Sequence, residues 1–443
     1  MTVFEVLPAP RHASGAHLDR STWPLSAEVD DLGRLCVGGV AATKIAAEFG
    51  TPAHLVDETD FRARIGCYRA ALPKADLIYA GKALLSVAVA GWAADAGAGV
   101  SVCSAGELAT ALAADVPPSR IVLHGNAKTA GELHDAVAAG VGWVVVDSPS
   151  EIALLAGWVR SRQRVLIRAI PDTDGAGAPT QTFGFALTGG HAAGAVKRVL
   201  DQPWLDPVGL HCQLGTLVAD AGAYGAAIGQ LVAVMAEVRD RHDVVLTQLN
   251  LGGGRALSST YGDAEPQLRA LGGVVDTALA TACAEHDFPR PRVVFEVGRG
   301  IAAHAGITLY RVIAVKHQPG GGIFVAVDGT DQAADDAEHA VALANRPRSC
   351  PTARVTVVGR NGETGGAIAR DVPVPADVRP GDLLAVAGTG AYHHSIASSR
   401  SLVGRPPLVA VAGGRSRELV RRETVADLLG RDCGWSGRES GGR

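Results

Sequence analysis

From about residue 76 the hydrophobic pattern of the chain becomes rhythmic. Short apolar runs, "DLIYAGK", "VSVCSAGE", "RIVLHGN", "GWVVVDS", "VLIRAI", "VGLHCQLG", "LTQLNLGGG" and "VVFEVGRG", predict eight strands. Alanine- and leucine-rich stretches of helical period lie between them, for example residues 105–116 and 149–162. Strands alternating with helices imply a parallel sheet joined by right-handed crossovers. Eight of them predict a closed (β/α)8 TIM barrel, with an open doubly wound sheet as the alternative that counting leaves standing. "GTPAHLVDE", residues 50–58, predicts a further strand placed outside the barrel set. After about residue 305 strands follow one another across Gly/Pro turns with little helix, which predicts a C-terminal antiparallel β domain. "HQPGGG", residues 317–322, has the turn chemistry of a hairpin. The expected organisation is an N-terminal segment, 1–48, packing with the β domain; a barrel over 49–305; a β domain over 306–430; and a disordered polar tail over 431–443. The glycine-rich loop 171–181 is expected to be mobile.

Composition narrows the class. The chain has 443 residues, 47% hydrophobic and 19% charged, which is globular and large enough for more than one domain. The formal net charge of −4 is spread along the chain, with no footprint for nucleic acid or an acidic membrane surface. The seven cysteines are scattered and odd in number, so they read as reduced thiols of a cytoplasmic protein and not as a disulfide framework or a zinc site. No signal peptide and no run long enough to span a membrane is apparent.

Candidate chemistry lies at the carboxyl ends of the predicted strands, where barrels of this type carry function. Lys82 ends the first; a lysine at a barrel mouth is either a solvated cation or an amine desolvated enough to attack carbonyls. Gly252, Gly253 and Gly254 end the seventh, a turn through which backbone N–H groups can approach a phosphate. Glu296 and Arg299 end the eighth. An imine-forming lysine, a phosphate cradle and a carboxylate at one mouth are jointly what pyridoxal 5′-phosphate needs. Its aldehyde takes the amine, its phosphate takes donors, and its ring nitrogen stays protonated beside a carboxylate.

The same segments resemble the pyridoxal-phosphate decarboxylases that act on diaminopimelate, ornithine or arginine through an alanine-racemase-like barrel, and among them the diaminopimelate decarboxylases most. The resemblance runs from about residue 35 to residue 412. "YAGKA" is similar to the family's lysine motif, which implies that Lys82 binds the cofactor. "CSAGELATAL" and "LHGNAKTAGEL" match the second and third strand ends, and "LNLGGG" the phosphate glycines. "FEVGRG" resembles Glu-Pro-Gly-Arg with Val297 for proline; it implies Glu296 at the ring nitrogen and Gly298 and Arg299 at the phosphate. "GDLLAVAGTGAY" matches a motif that implies Tyr392 near the phosphate.

Three departures stand out. The family's His-x-Gly-Ser, whose histidine stacks on the cofactor ring, reads Gln213-Leu214-Gly215-Thr216 here. Gln213 and Thr216 are still expected at the cofactor, with His211 two residues earlier on the same strand face as either a substitute or a structural residue. The family's Cys-Glu pair reads Gly362-Glu363, so the thiol linked to reprotonation is missing while Glu363 remains a catalytic candidate. The substrate-carboxylate region is acidic and lacks tyrosine, leaving Arg346 and Arg348 as candidate ligands. His393 and His394 follow Tyr392 and are read either as a substitute acid or as a plain loop.

The resemblance thus implies a carboxy-lyase using pyridoxal 5′-phosphate and no metal. The expected substrate is an amino acid other than diaminopimelate, in specialised biosynthesis. Racemisation or other chemistry at the α-carbon is the alternative, and a catalytically inactive regulatory homologue is less favoured. It further implies a homodimer with the active site at the interface.

Overall fold

The computed structural model describes residues 18–20, 22–172, 183–214, 222–253, 261–330, 339–360 and 367–435. Its centre is a barrel of strands β1 (Ala75–Ala80), β2 (Gly99–Val102), β3 (Ile121–Leu123), β4 (Trp143–Val146), β5 (Gln163–Ile170), β6 (Leu205–His211), β7 (Gln248–Asn250) and β8 (Arg292–Val297). Each strand pairs in parallel with the next, and β8 pairs with β1, so the sheet closes and the open-sheet alternative falls.

The strand-to-helix turns repeat one solution. Ser104, Thr129 and Ser148 cap the helices Ala105–Ala113, Ala130–Ala139 and Pro149–Trp158 by accepting the N–H three residues on. That third residue is a glutamate each time: Glu107, Glu132 and Glu151. Its carboxylate reaches back, to the N–H of Cys103 at 2.7 Å, of Thr129 at 2.9 Å and of Asp147 at 2.7 Å. Amides that the first helical turn leaves unpaired are thereby satisfied, and each helix is anchored at the carboxyl end of its strand.

Strand side chains alternate in direction. Leu77, Tyr79, Val144, Val146, Val293 and Phe295 face the surrounding helices and form the larger core. Ile78, Val122, Val145, Leu166 and Val294 point inward and meet inside the barrel. Continuing the inward rows toward the carboxyl ends gives Ala80 and Lys82, His124, and Glu296; period two alone aims these at one mouth.

The second unit contains β9 (Gly306–His317), β10 (Ile323–Val327), β11 (Val341–Leu343), β12 (Thr352–Val358), β13 (Ala367–Pro375), β14 (Leu383–Ala387), β15 (Leu408–Ala412) and β16 (Arg415–Val420). The early strand Ala53–Asp57 joins this sheet, between β9 and β15. Most pairings are antiparallel, including the hairpin in which His317 opposes Ile323, but Ala53–Asp57 with β15 and β10 with β12 are parallel. All seven cysteines are free. No helix among the described residues is long and apolar enough to cross a membrane. The expected mobile loop lies, apart from its first two residues, outside the described residues, as does the tail from residue 436.

Arg346 has a structural role here, not that of a substrate ligand. Its guanidinium donates to Asp382 at 3.0 and 2.9 Å and to Asp377 at 2.9 Å. Burial raises the Asp382 pKa, but bonds from Arg346, Asn345 and the Arg379 amide outweigh it and hold the carboxyl below its ordinary value. A depressed folded pKa contributes stability above the unfolded value and loses it as pH falls through the folded one. Arg346→Met, which strands a carboxylate only 3% exposed, is expected to cost about 3 kcal/mol near neutral pH. Urea titrations should show that cost shrinking as the pH falls and Asp382 protonates. Arg348 is exposed on the surface of the sheet unit.

Candidate active site

The turn Gly81–Ala83 follows β1 and carries Lys82 out of the strand with its side chain exposed. A loop from the sheet unit lies on this turn: the Tyr392 N–H donates to the Ala83 carbonyl at 2.7 Å, and the Ser395 hydroxyl to the same oxygen at 3.2 Å. Gly390 makes that approach possible, since a Cβ there would stand 1.9 Å from the Ala302 carbonyl. Tyr392 itself adopts a positive φ of 68°. The Arg299 guanidinium carbon lies 4.8 Å from the centre of the Tyr392 ring.

Lys82, Glu296, Gly253, Arg299, Tyr392 and Gln213 line one small pocket at the carboxyl ends of the strands. Gly298 borders it as well. The glycine turn is forced by its surroundings. A Cβ on Gly253 would fall 2.1 Å from the Glu296 carbonyl, and one on Gly252 2.4 Å from the Cys212 carbonyl. Gly252 also needs its positive φ of 67°. Gly254, Thr216 and Glu363 lie outside the described residues.

Two side-chain amides hold this turn. Asn250, fully buried, donates from Nδ2 to Glu296 Oε1 at 2.7 Å and accepts the Gly252 N–H on Oδ1 at 2.9 Å. One residue therefore orients both the carboxylate and the glycines. Gln213 donates from Nε2 to the Gly253 carbonyl and accepts the Gly253 N–H at 3.3 Å. Its amide group is engaged with the glycine backbone.

Beneath the pocket, His124 Nε2 and His211 Nε2 are 3.1 Å apart. Burial drives both imidazoles well below their ordinary pKa, so the pair is neutral. His124 borders the pocket, whereas His211 is fully enclosed, with Nδ1 lacking a hydrogen-bond partner among the described residues. One ligand atom each of His124, His211 and Glu296 lies within 4.8 Å of the others. A cation would compete there with a ring nitrogen for the same carboxylate; the adjoining amine and glycine turn favour the ring. Cys103 also borders the pocket, and burial pushes its thiol up to about 12, so it stays protonated at neutral pH.

His393 and His394 do not border this pocket. His393 is buried edge-on to His339 at 5.1 Å, and His394 packs edge-on to His54 at 5.8 Å. Burial lowers His394 to about 4, which leaves it neutral near physiological pH.

Asn250, which holds the carboxylate and the glycine turn, and His124 and Cys103, which border the pocket, are among the site residues that motif reading missed. All three lie inside the quoted strand-end segments, and extending the inward period of β3 from Val122 identifies His124.

The arrangement fits pyridoxal 5′-phosphate. An exposed amine, a buried carboxylate fixed by an amide, and a glycine turn that no Cβ can enter converge beside an arginine and a tyrosine. Comparison with known proteins agrees. A family profile, "Pyridoxal-dependent decarboxylase, pyridoxal binding domain", matches residues 58–303. The diaminopimelate decarboxylase of Actinosynnema pretiosum subsp. auranticum is 45% identical over 98% of this chain and 100% of its own length. That of Mycobacterium tuberculosis (strain H37Rv) is 39% identical over 93% and 98%. Among solved structures, diaminopimelate decarboxylase from M. jannaschii in complex with L-lysine superposes with a TM-score of 0.83 at 26% identity, covering 92% of this chain and 97% of that one.

Proposed function

Because the chain belongs to the pyridoxal-dependent decarboxylases, and is a carboxy-lyase that uses pyridoxal 5′-phosphate, we propose that it removes the α-carboxylate of an amino acid other than diaminopimelate, in a specialised biosynthetic route. The convergence of Lys82, Glu296 and the glycine turn on one pocket carries the decarboxylase reading. The substrate part is supported by the residues that differ from the family pattern: Gln213 in place of an imidazole, Gly362 in place of a thiol, and Arg346 committed to Asp382 and Asp377. Diaminopimelate itself is the second reading, favoured by the 45% identity over the whole length of a relative of that name.

When bound, the cofactor supplies a conjugated sink for the electron pair left on the α-carbon as carbon dioxide departs. Lys82 would offer the amine for its aldehyde. Glu296, aligned by Asn250, would hold a proton on the ring nitrogen. Arg299 and Tyr392 would take the phosphate beside the glycine turn, whose Gly252 and Gly253 N–H groups bond Asn250 and Gln213. Gln213 keeps that turn in register through both polar groups of Gly253. Cys103 and His124 line the floor, and the neutral His124–His211 pair adds no charge that opposes the ring.

Incubating the enzyme with a panel of amino acids and following carbon dioxide tests the reading. Release from a substrate other than diaminopimelate is expected. Efficient conversion of diaminopimelate to lysine would sink the substrate proposal while leaving the decarboxylase intact. Racemisation without carbon dioxide would sink both. Gly253→Ala is expected to weaken cofactor binding at least about tenfold, because a Cβ 2.1 Å from the Glu296 carbonyl pushes the turn away from the carboxylate and the phosphate contacts beside it. Titration of the apoenzyme measures it, and unchanged affinity would remove the turn from the site. We also propose a homodimer whose second copy completes the pocket; a fully active monomer in sedimentation would exclude it.

A further inference from the structure

The inward rows of the barrel end differently at its two mouths. Barrels of this type fill their interior with layers of branched apolar side chains. One such layer is present, made by Ile78, Val122, Val145, Leu166 and Val294. Two residues toward the amino ends of the same rows stand Asp76, Arg120, Trp143, Arg164 and Arg292. These line a cavity of about 340 Å³, larger than the pocket at the opposite end.

Donors and acceptors do not balance there. Arg292 is closed on Asp76, the one acidic residue that lines the cavity. Arg120 spends one terminal nitrogen on the Ala98 carbonyl at 2.9 Å. Arg164 spends Nε on the Gly142 carbonyl at 3.1 Å, and its guanidinium lies 4.3 Å from the centre of the Trp143 ring. The remaining N–H groups of both arginines have no partner among the described residues. Trp143 Nε1 is buried and also without a partner among them. Guanidinium and indole N–H groups can only donate. Two uncompensated positive charges, an orphaned buried donor and an apolar floor call for a ligand rich in acceptor oxygens. The volume falls within the range of small-molecule sites.

We propose that the amino-terminal mouth of the barrel binds a small organic anion bearing carboxylate or phosphate groups, held by Arg120, Arg164 and the Trp143 N–H. This does not depend on the decarboxylase reading, because the site lies on the far side of the apolar layer from Lys82.

Isothermal titration of the cofactor-loaded enzyme, with citrate and with inorganic phosphate in separate experiments, tests it and tells carboxylate from phosphate. One saturable site per chain is expected for at least one probe. Arg120→Gln and Arg164→Gln should each weaken it about tenfold or more, the loss of a charge-assisted contact. Trp143→Phe, which removes one N–H and keeps the ring, should weaken it about fivefold. Arg299→Gln, at the opposite mouth, should leave the titration unchanged. No saturable binding of either probe overturns the proposal. So does binding that survives Trp143→Phe undiminished, or that disappears in Arg299→Gln while persisting in Arg120→Gln. Should an arginine variant fail to fold, the Trp143→Phe titration decides alone.

Discussion

Replacing Lys82 with alanine is expected to abolish carbon dioxide release and leave the fold intact. The side chain leaves the barrel at a short turn, is exposed, and makes no packing contact that the core depends on. Its removal deletes the amine without opening a cavity. Circular dichroism and the melting temperature should match the parent protein. The loss should be total within detection, because no other lysine among the described residues borders the pocket to replace it. Borohydride reduction with peptide mapping gives a readout independent of turnover: the parent should carry a cofactor adduct on Lys82, and the variant none. Lys82→Arg should be as inactive, since arginine keeps the charge but cannot be deprotonated to attack an aldehyde. Turnover in either variant would refute the role.

Glu296→Gln is expected to lower kcat by about 10²- to 10³-fold, the size of effect that follows loss of one preorganised electrostatic contact. The substitution is close to isosteric. A glutamine carbonyl can still accept the Asn250 Nδ2–H that now bonds Oε1 at 2.7 Å, so the glycine turn keeps its support. The negative charge opposite the ring nitrogen is what is lost. Cofactor content should stay near one per chain while kcat falls, a split that separates an electronic role from a structural one. Asn250→Ala should instead lose cofactor as well as rate, because one amide serves both the carboxylate and the turn. A Glu296→Gln variant with kcat within about twofold of the parent would remove the carboxylate from the chemistry.

Period-two alternation made the eight strands and their inward rows legible, and the Ser/Thr-x-x-Glu pattern marks where three of the helices start. Lys82, Glu296 and the glycines were readable for the same reason: each sits where a strand must end and a turn must begin. What could not be read was which polar group each side chain would meet. Arg346 looked like a free carboxylate ligand until Asp382, 36 residues away, closed on it. Gln213 was placed at the cofactor by its motif, but nothing local showed that its amide would bond both polar groups of Gly253. His393 and His394 looked available beside Tyr392, yet their rings pack on His339 and His54.

Local sequence by itself determined the eight alternating strands, their ends and the residue types offered at the active mouth, though not the closure of the sheet, because alternation, helix capping and glycine turns are short-range effects along the chain whereas closure needs the last strand to meet the first. Only the tertiary structure decided that Ala53–Asp57 belongs to the second sheet, that Asn250 ties the carboxylate to the glycine turn, and that the arginines at the far mouth surround an open cavity. Those outcomes depend on hydrogen bonds and charges brought together from distant strands, and a buried polar group takes whichever partner the closed barrel places beside it.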